Sequence, residues 1–200
     1  MELYQKQTTQ VKDTFLKKII NQKIYTVLFF LFFYSQSVCG SETSARIEKY
    51  IKNLNFFSSK FVQFDGSSVE EGYLHVKDSK IRLDYFNPER TLIISEKKGV
   101  YINHELKEEE FFSTEKNIVK IFYDIFLDYN YFSSILFKES KGGIVFEKNL
   151  TIDSKKINLK ILFENNPLLL RKIIAETKDE IISISFNEHK YNNTYKKDFF

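Results

Sequence analysis

The 200-residue sequence has little of the residues that characterise cross-linked or loop-dominated chains. It contains one cysteine, two prolines, six glycines, no tryptophan and only two alanines, Ala45 and Ala175. A single cysteine excludes an intrachain disulfide, and so few prolines and glycines exclude a collagen-like or Pro/Gly-rich disordered chain. The scarcity of alanine beside 21 Phe, 12 Tyr and many β-branched residues favours β-sheet.

Beyond residue 40 the chain also lacks an excess of either charge. Residues 1–40 hold five lysines and two acidic residues, which accounts for the net charge of +3 and leaves 25 basic and 25 acidic residues in the remainder. Because neutralisation of phosphates supplies most nucleic-acid affinity, this balance argues against nucleic-acid binding. The length fits one domain. We therefore predict an N-terminal extension with a signal peptide over residues 1–40 and a single domain over residues 41–200.

The N-terminal segment has the pattern of a secretory signal peptide. Three lysines precede an eleven-residue apolar run, residues 24–34, and small and polar residues 35–41 follow. Eleven residues are too few to span a bilayer, which takes about 20. We expect export with cleavage after Cys39 or Gly40, with an uncleaved membrane anchor as the alternative. The long segment ahead of the lysines also raises the hypothesis of a misassigned start site.

Cys39 at the end of this leader raises the alternative of a lipid-modified N terminus. Its context, Gln36-Ser37-Val38-Cys39, is a poor lipidation signal because no leucine stands three residues upstream and a bulky valine directly precedes the cysteine. We favour removal of Cys39, or an unmodified place at the new terminus, over lipidation.

Apolar periodicity predicts two helices. Residues 41–55 and residues 117–127 each carry an apolar stripe with the i, i+3, i+4, i+7 spacing of one helix face. In the first helix the stripe consists of Ile47, Tyr50, Ile51 and Leu54.

The rest of the sequence predicts short strands in an antiparallel meander. Alternating segments such as Ile-Arg-Leu-Asp-Tyr at residues 81–85 are separated by turn signals about every ten residues, among them Asp65-Gly66, Asp78-Ser79 and Asn166-Pro167. The charge run at residues 107–110 is interpreted as a solvated loop.

No catalytic or metal-binding motif is present in the sequence. It has no P-loop, no G-x-S-x-G, no H-E-x-x-H and no paired cysteines. The histidines His75, His104 and His189 are scattered, which is typical of strand or surface positions. Glu70-Glu71 and Asp84 are interpreted as solvated carboxylates. We predict a protein that is not an enzyme and needs no cofactor; a hydrolase using His75 or His104 is the least favoured alternative.

A series of short motifs runs from Phe57 to the end of the sequence. They are Phe57-x-x-x-Phe61-x-Gln63, Asp65-Gly66, EGYLHVK at 71–77, KIRLDY at 80–85, Asn87-Pro88, LIIS at 92–95, Val100-Tyr101, Asn166-Pro167-Leu168 with Leu170-Arg171, and the tail from Asn192-Asn193 to Asp198-Phe199-Phe200. With these motifs, which are moderately specific when taken together, the sequence resembles the periplasmic outer-membrane lipoprotein carrier (LolA) family over residues 41–200.

The resemblance implies a mainly β fold with α-helices: an incomplete antiparallel β-barrel whose open side is covered by lid helices at 41–55 and 117–127. It also implies an apolar cavity for acyl chains, whose walls would come from alternate residues of the strands. The expected lid residues are Ile118, Ile121, Phe122 and Ile125. The expected cavity residues are Phe61, Leu74, Val76, Ile81, Leu83, Tyr85, Leu92 and Ile94. For each of these residues, ordinary core packing is the alternative.

Two positions depart from the family pattern. The family continues after EGYLHVK with Lys-Arg-Pro, whose arginine holds the lid shut, whereas this chain has Lys77-Asp78-Ser79. Pairing of Asp78 with a lid lysine would be a substitute. The Thr-Pro of the family before the second helix is Thr114-Glu115 here, so the start of that helix is less constrained.

The function that the resemblance implies is a monomeric periplasmic carrier. It would receive acylated lipoproteins from an ATP-driven release complex of the inner membrane and pass them to an outer-membrane receptor. Two alternatives stay open: a lipid-anchored receptor of the same fold, and a periplasmic binding protein for another amphiphile.

Overall fold

The computed structural model describes residues 39–128, 130–133 and 137–200. The predicted signal peptide lies outside the described residues apart from its last two positions, and the side chain of Cys39, on which the lipidation alternative depends, also lies outside them. Two α-helices are present in the described part, α1 (Cys39–Lys52) and α2 (Lys120–Leu127), with a 3-10 turn at Thr114–Lys116. Neither helix is long and apolar enough to cross a membrane.

Eleven strands form one sheet in which all neighbours are antiparallel. The order is β6-β5-β4-β3-β2-β1-β11-β10-β9-β8-β7, so the pairing of β1 with β11 joins two meanders into one sheet. In the described part of the chain the end strands β6 and β7 do not pair with each other, and the sheet is not closed. The strands are β1 (Phe57–Phe64), β2 (Val69–Lys77), β3 (Lys80–Tyr85), β4 (Arg90–Ile94), β5 (Lys98–Asn103), β6 (Glu108–Ser113), β7 (Lys138–Ser140), β8 (Gly143–Ile152), β9 (Lys155–Asn165), β10 (Leu168–Glu176) and β11 (Ile181–Lys190).

Two-residue turns set the register of the hairpins. Asp78 and Ser79, between β2 and β3, have φ angles of 46° and 61°, and Asp153 and Ser154, between β8 and β9, have 46° and 66°. Positive φ at both central residues is the conformation whose twist matches that of the flanking strands. The turn predicted at Asp78-Ser79 is therefore confirmed.

Alternation along the strands gives the sheet one apolar face, called the inner face here. Along β9 it carries Ile157, Leu159, Ile161 and Phe163, which are all at most 3% exposed. Because successive side chains in a strand point to opposite faces, the polar residues between them lie on the outer face. The inner-face side chains belong to a single hydrophobic cluster.

Both helices contribute to this same cluster. The stripe of α1 supplies buried Ile47 and Ile51, with Leu54 just beyond its end, and α2 supplies buried Ile121 and Ile125. The helices therefore cover the inner face, and the outer face lies away from them. The predicted fold class, an incomplete antiparallel barrel of mainly β structure with covering helices, is confirmed.

Two local predictions need correction. The second helix begins at Lys120 rather than at residue 117, because a 3-10 turn at Thr114–Lys116 precedes it. The charge run at residues 107–110 is mostly strand: β6 (Glu108–Ser113) pairs with β5 over six residues. An edge strand has only one neighbour and its charged side chains reach solvent, so three consecutive glutamates are compatible with it.

Candidate functional site

The predicted cavity residues all lie on the inner face of β1–β4. The register places Leu74 opposite Leu83, and Leu83 opposite Leu92; Val76 likewise faces Ile81, which faces Ile94. Residues directly opposite on antiparallel strands share a face and contact each other. Seven of the eight are buried, and Leu92 is partly buried against the same cluster: Phe61, Leu74, Val76, Ile81, Leu83, Tyr85, Leu92 and Ile94.

A glycine makes room for the largest of these side chains. Gly72 lies opposite Phe61 on one side and Tyr85 on the other. A Cβ at Gly72 would lie 2.7 Å from the ring of Phe61, so the ring lies over the strand where another residue would have its side chain. The rings of Phe61 and Tyr85 then meet edge to face, with centroids 5.1 Å apart.

One end of this inner face is polar. The Tyr85 hydroxyl donates a hydrogen bond to Oε1 of Gln63 at 3.0 Å. Arg90, which lies opposite Tyr85, forms an ion pair with Glu70, and its guanidinium lies 4.5 Å from the centroid of the Tyr85 ring. Burial raises the pKa of Tyr85 to about 12, so its hydroxyl remains a donor at neutral pH.

Sequence reasoning missed this polar set. Glu70 and Glu71 were interpreted together as solvated carboxylates, but they lie on opposite faces: Glu71 pairs with Lys60 at 2.8 Å, and Glu70 pairs with Arg90. The signal that could have found it is the period of two, which places Arg90 on the same face as Leu92 and Ile94.

The predicted lid residues lie on α2 and on the segment just before it. Ile121 and Ile125 are buried in the cluster, whereas Ile118 and Phe122 are partly buried and pack against it. The ring of Phe126 meets Phe186 of β11 edge to face at 6.0 Å. The attachment of α2 to the sheet is thus largely apolar.

Polar bonds hold α1 to β9, to β10 and to the segment 130–133 that follows α2. The Ser44 hydroxyl donates to the carbonyl of Phe132 at 2.5 Å, and Arg46 donates to Oδ1 of Asn165 at 2.8 Å. The Tyr50 hydroxyl accepts the backbone N–H of Leu170 at 3.0 Å. Burial raises the pKa of Tyr50, so this hydroxyl stays protonated.

An aromatic cluster fills the space beneath α1. Phe132 lies within 6.0 Å of the rings of Tyr131, Phe137, Phe146 and Phe163. Among the described residues the hydroxyl of Tyr131 is buried without a hydrogen-bond partner. Lys148 lies 5.1 Å from the centroid of the same ring.

A cleft of about 210 Å³ opens between the start of α2 and the ends of two hairpins. Its apolar lining comes from Ile118, Ile152, Ile157 and Ile182. Lysine and acidic side chains stand beside these isoleucines, among them Lys116, Lys155, Asp153 and Glu180. The cleft is therefore lined by apolar and charged side chains together.

The histidines are held in polar contacts in or beside the strands. His75 Nε2 lies 3.6 Å from Asp84, and His104 Nε2 lies 2.9 Å from the Thr91 hydroxyl. Asp84 also accepts both a bond from Thr91 and two from Arg82, so it is not the solvated carboxylate that we expected.

Asp78 does not pair with a lid lysine. Its carboxylate lies 3.8 Å from the neighbouring Lys77, and its backbone N–H donates to Asn55. Lys120 of α2 pairs instead with Asp124 in the next turn of its own helix. The substitute that we considered for the missing family arginine is therefore not formed.

Solved structures with a similar architecture have low sequence identity to this chain. An uncharacterized conserved protein from Thermus thermophilus has a TM-score of 0.48 at 9% identity, covering 78% of this chain and 96% of that one. A LolA superfamily protein from Nitrosomonas europaea has a TM-score of 0.45 at 9% identity, covering 78% and 97%. The MucA/MucB complex of Pseudomonas aeruginosa has a TM-score of 0.44 at 10% identity, covering 79% and 59%.

No protein-family profile and no curated protein matches the chain. The family that the sequence resembles is represented among these similar structures. At these identities and TM-scores the similar structures carry no argument about function. The function is therefore argued from the residues of this chain.

Proposed function

We propose that the protein is a periplasmic carrier that shields the acyl chains of lipoproteins during their transfer from the inner to the outer membrane. The observation that carries this proposal is an open antiparallel sheet whose apolar inner face is covered by two helices rather than by a second sheet. A helix can leave such a face without breaking strand pairing. An amphiphile can then take its place.

Acyl chains supply the driving force for such an exchange. Each methylene that is moved out of water contributes about 0.8 kcal/mol, so a bound chain compensates for the contacts that a covering helix loses. In this mechanism the helix contacts of the empty protein compete with cargo. Good packing in the empty state lowers the net affinity of the carrier for its cargo. The cargo then passes readily to a receptor with higher affinity.

The proposed site combines the eight inner-face residues with α2 as the lid. The cleft lined by Ile118, Ile152, Ile157 and Ile182 lies at the start of α2 and would be the place where opening begins. The partners in this proposal are acylated lipoproteins, an ATP-driven release complex in the inner membrane and an outer-membrane receptor. The carrier acts as a monomer without a cofactor and makes no covalent change.

The direct test is release of lipoproteins from spheroplasts by the processed protein purified from the periplasm. We expect acylated lipoproteins to appear in the soluble fraction as complexes visible by native mass spectrometry. A processed chain that draws no lipoprotein off the spheroplasts contradicts the proposal. Recovery of a chain that begins at a lipid-modified Cys39 would indicate the receptor, and a free amphiphile in the complex would indicate a different cargo.

Neighbouring residues of β4 provide a matched pair of variants. Leu92 lies on the inner face and Ile93 on the outer face, and both are partly buried. We expect Leu92→Glu to abolish release because it places a charge against the acyl chains, and Ile93→Glu to retain it. Equal loss in both folded variants would contradict an inner-face site.

A further inference from the structure

The polar end of the inner face consists of four side chains from neighbouring strands. Gln63 lies opposite Glu70 across β1 and β2, and Tyr85 lies opposite Arg90 across β3 and β4. Gln63 and Glu70 lie one inner-face row beyond the row that Tyr85 and Arg90 share with Phe61 and Gly72. From Tyr85 the inner face runs through Leu83 to Ile81, a length of about 13 Å at 3.3 Å per residue. The face is therefore itself amphiphilic, with polar side chains at one end and apolar rows along the rest.

The Glu70–Arg90 pair lies in a poorly hydrated position. The side chains of Arg90 and Glu70 are only 21% and 17% exposed, so both have lost much of their hydration. Desolvation of such pairs commonly offsets their attraction, so the net contribution of this pair to stability is expected to be small. At the end of an apolar face its charged groups are placed where the polar end of an amphiphilic ligand would lie.

The chemistry of the set selects a particular kind of head group. Arg90 supplies hydrogen-bond donors, and Glu70 and Gln63 supply acceptors, within a set that has no net charge. An anionic head would gain contact with Arg90 but would also meet Glu70. A peptide unit carries one N–H donor and one C=O acceptor and no charge, so it can bond to both partners.

We propose that Gln63, Glu70, Tyr85 and Arg90 bind the first peptide units of an acylated polypeptide N terminus, while its hydrocarbon lies along the apolar rows. This inference rests on the proposed carrier function and names the specificity of its site. Under it, the protein prefers an acyl chain linked to peptide over a free fatty acid of the same length.

The test compares two probes with one hydrocarbon chain: palmitate, and a neutral dipeptide amide that carries an N-palmitoyl group. Displacement of a fluorescent apolar dye from the processed protein gives both dissociation constants. The peptide part of the palmitoyl dipeptide is expected to form two net hydrogen bonds that palmitate does not form. We therefore expect about tenfold tighter binding of the palmitoyl dipeptide. We expect Glu70→Leu combined with Arg90→Met to remove this preference.

The control is the ion pair between Lys60 and Glu71 on the outer face of the same strands. Lys60→Met with Glu71→Leu removes the same charges and is expected to keep the preference. If the inner pair variant does not fold, Gln63→Leu replaces it, since it removes an acceptor without changing charge, and it is expected to weaken the preference.

The outcomes separate this inference from the carrier function. The inference is overturned if the wild type binds the two probes equally, or if the folded inner variants keep the preference. Neither result contradicts the proposed carrier function. Failure of the wild type to bind either probe overturns both.

Discussion

The two covering helices serve the same face but are attached to it differently. The 14-residue α1 combines an apolar stripe with polar bonds from Arg46 and Tyr50 to β9 and β10, and from Ser44 to the segment 130–133. The eight-residue α2 has no side-chain cap at its N-cap residue, Val119, and contacts the sheet mainly through apolar side chains. Directional bonds resist sliding and rotation, whereas apolar contacts can be exchanged for those of a ligand. Under the proposed function, we therefore propose α1 as the fixed cover and α2 as the part that moves.

The difference in attachment between α1 and α2 is tested most directly at two equally buried isoleucines. Ile51 near the end of α1 is 1% exposed and Ile125 of α2 is 0% exposed. We expect Ile51→Ala to lower the free energy of unfolding by about 2–5 kcal/mol. Ile125→Ala is expected to cost less globally and to accelerate amide hydrogen exchange in α2, because a loosened lid opens locally. Urea unfolding and hydrogen exchange measure the two effects.

An equal global cost for both variants, with α2 amides exchanging only through global unfolding, would mean that α2 is as fixed as α1. The proposed lid would then be wrong.

Removing one polar tie of α1 is expected to have the next largest effect. Tyr50→Phe leaves the buried N–H of Leu170 without its acceptor, at a cost of about 1–3 kcal/mol in the free energy of unfolding. The ring would keep its contact with Phe163. Tyr73→Phe, at a residue that is 37% exposed, is the control and is expected to change stability by less than about 0.5 kcal/mol. If the two variants are equally stable, the hydrogen bond between Tyr50 and Leu170 does not contribute to the attachment of α1.

Two partly buried histidines, His189 of β11 and His75 of β2, give the stability of the fold a pH dependence. Burial lowers the pKa of His189, and the carbonyl of Leu170, 3.0 Å from its Nε2, only partly opposes this shift. Burial also lowers the pKa of His75, and the nearby Asp84 carboxylate only partly opposes this shift. The unfolded chain therefore binds more protons below pH 6.5, and stability falls as the pH decreases through that value.

Urea unfolding between pH 7.5 and 5.5 measures this dependence, and His189→Gln is expected to reduce its slope. A stability that rises with acidification in this range would contradict the assignment.

The smallest expected effect is that of the ion pair within α2. Lys120 and Asp124 are 40% and 22% exposed, and such i, i+4 pairs contribute about 0.3–0.5 kcal/mol. A double-mutant cycle with Lys120→Ala and Asp124→Ala measures the coupling. A coupling well above 1 kcal/mol would contradict the interpretation of this pair as an ordinary surface pair.

Local signals in the sequence were sufficient for much of the fold. The helical stripe through Ile47 and Ile51 and the alternation of Ile81 and Leu83 report directly which side of an element is buried. The turn at Asp78-Ser79 was predictable because few residues accept two successive positive φ angles. These features depend on neighbours in the chain, which is why one sequence reveals them.

Features that depend on distant partners were not predictable in the same way. Strand β6 has a loop-like composition and forms because β5 offers it a pairing edge. The ion pair between Glu70 and Arg90 joins residues 20 positions apart, and its strand register had to be known first. Core and cavity positions are both inward and apolar, so the pattern at Leu74 or Leu83 cannot distinguish them.

The acidic edge strand has a consequence for the protein in concentrated solution. Glu108, Glu109 and Glu110 are exposed on a strand whose outer backbone groups have no neighbouring strand in the described sheet. If two molecules paired along this edge, six carboxylates would be brought together, and their repulsion opposes such self-association. Because the Debye length falls to about 3 Å in 1 M salt, this protection is largely lost there. Salting-out steps are therefore the conditions under which the purified protein is most prone to form strand-paired aggregates.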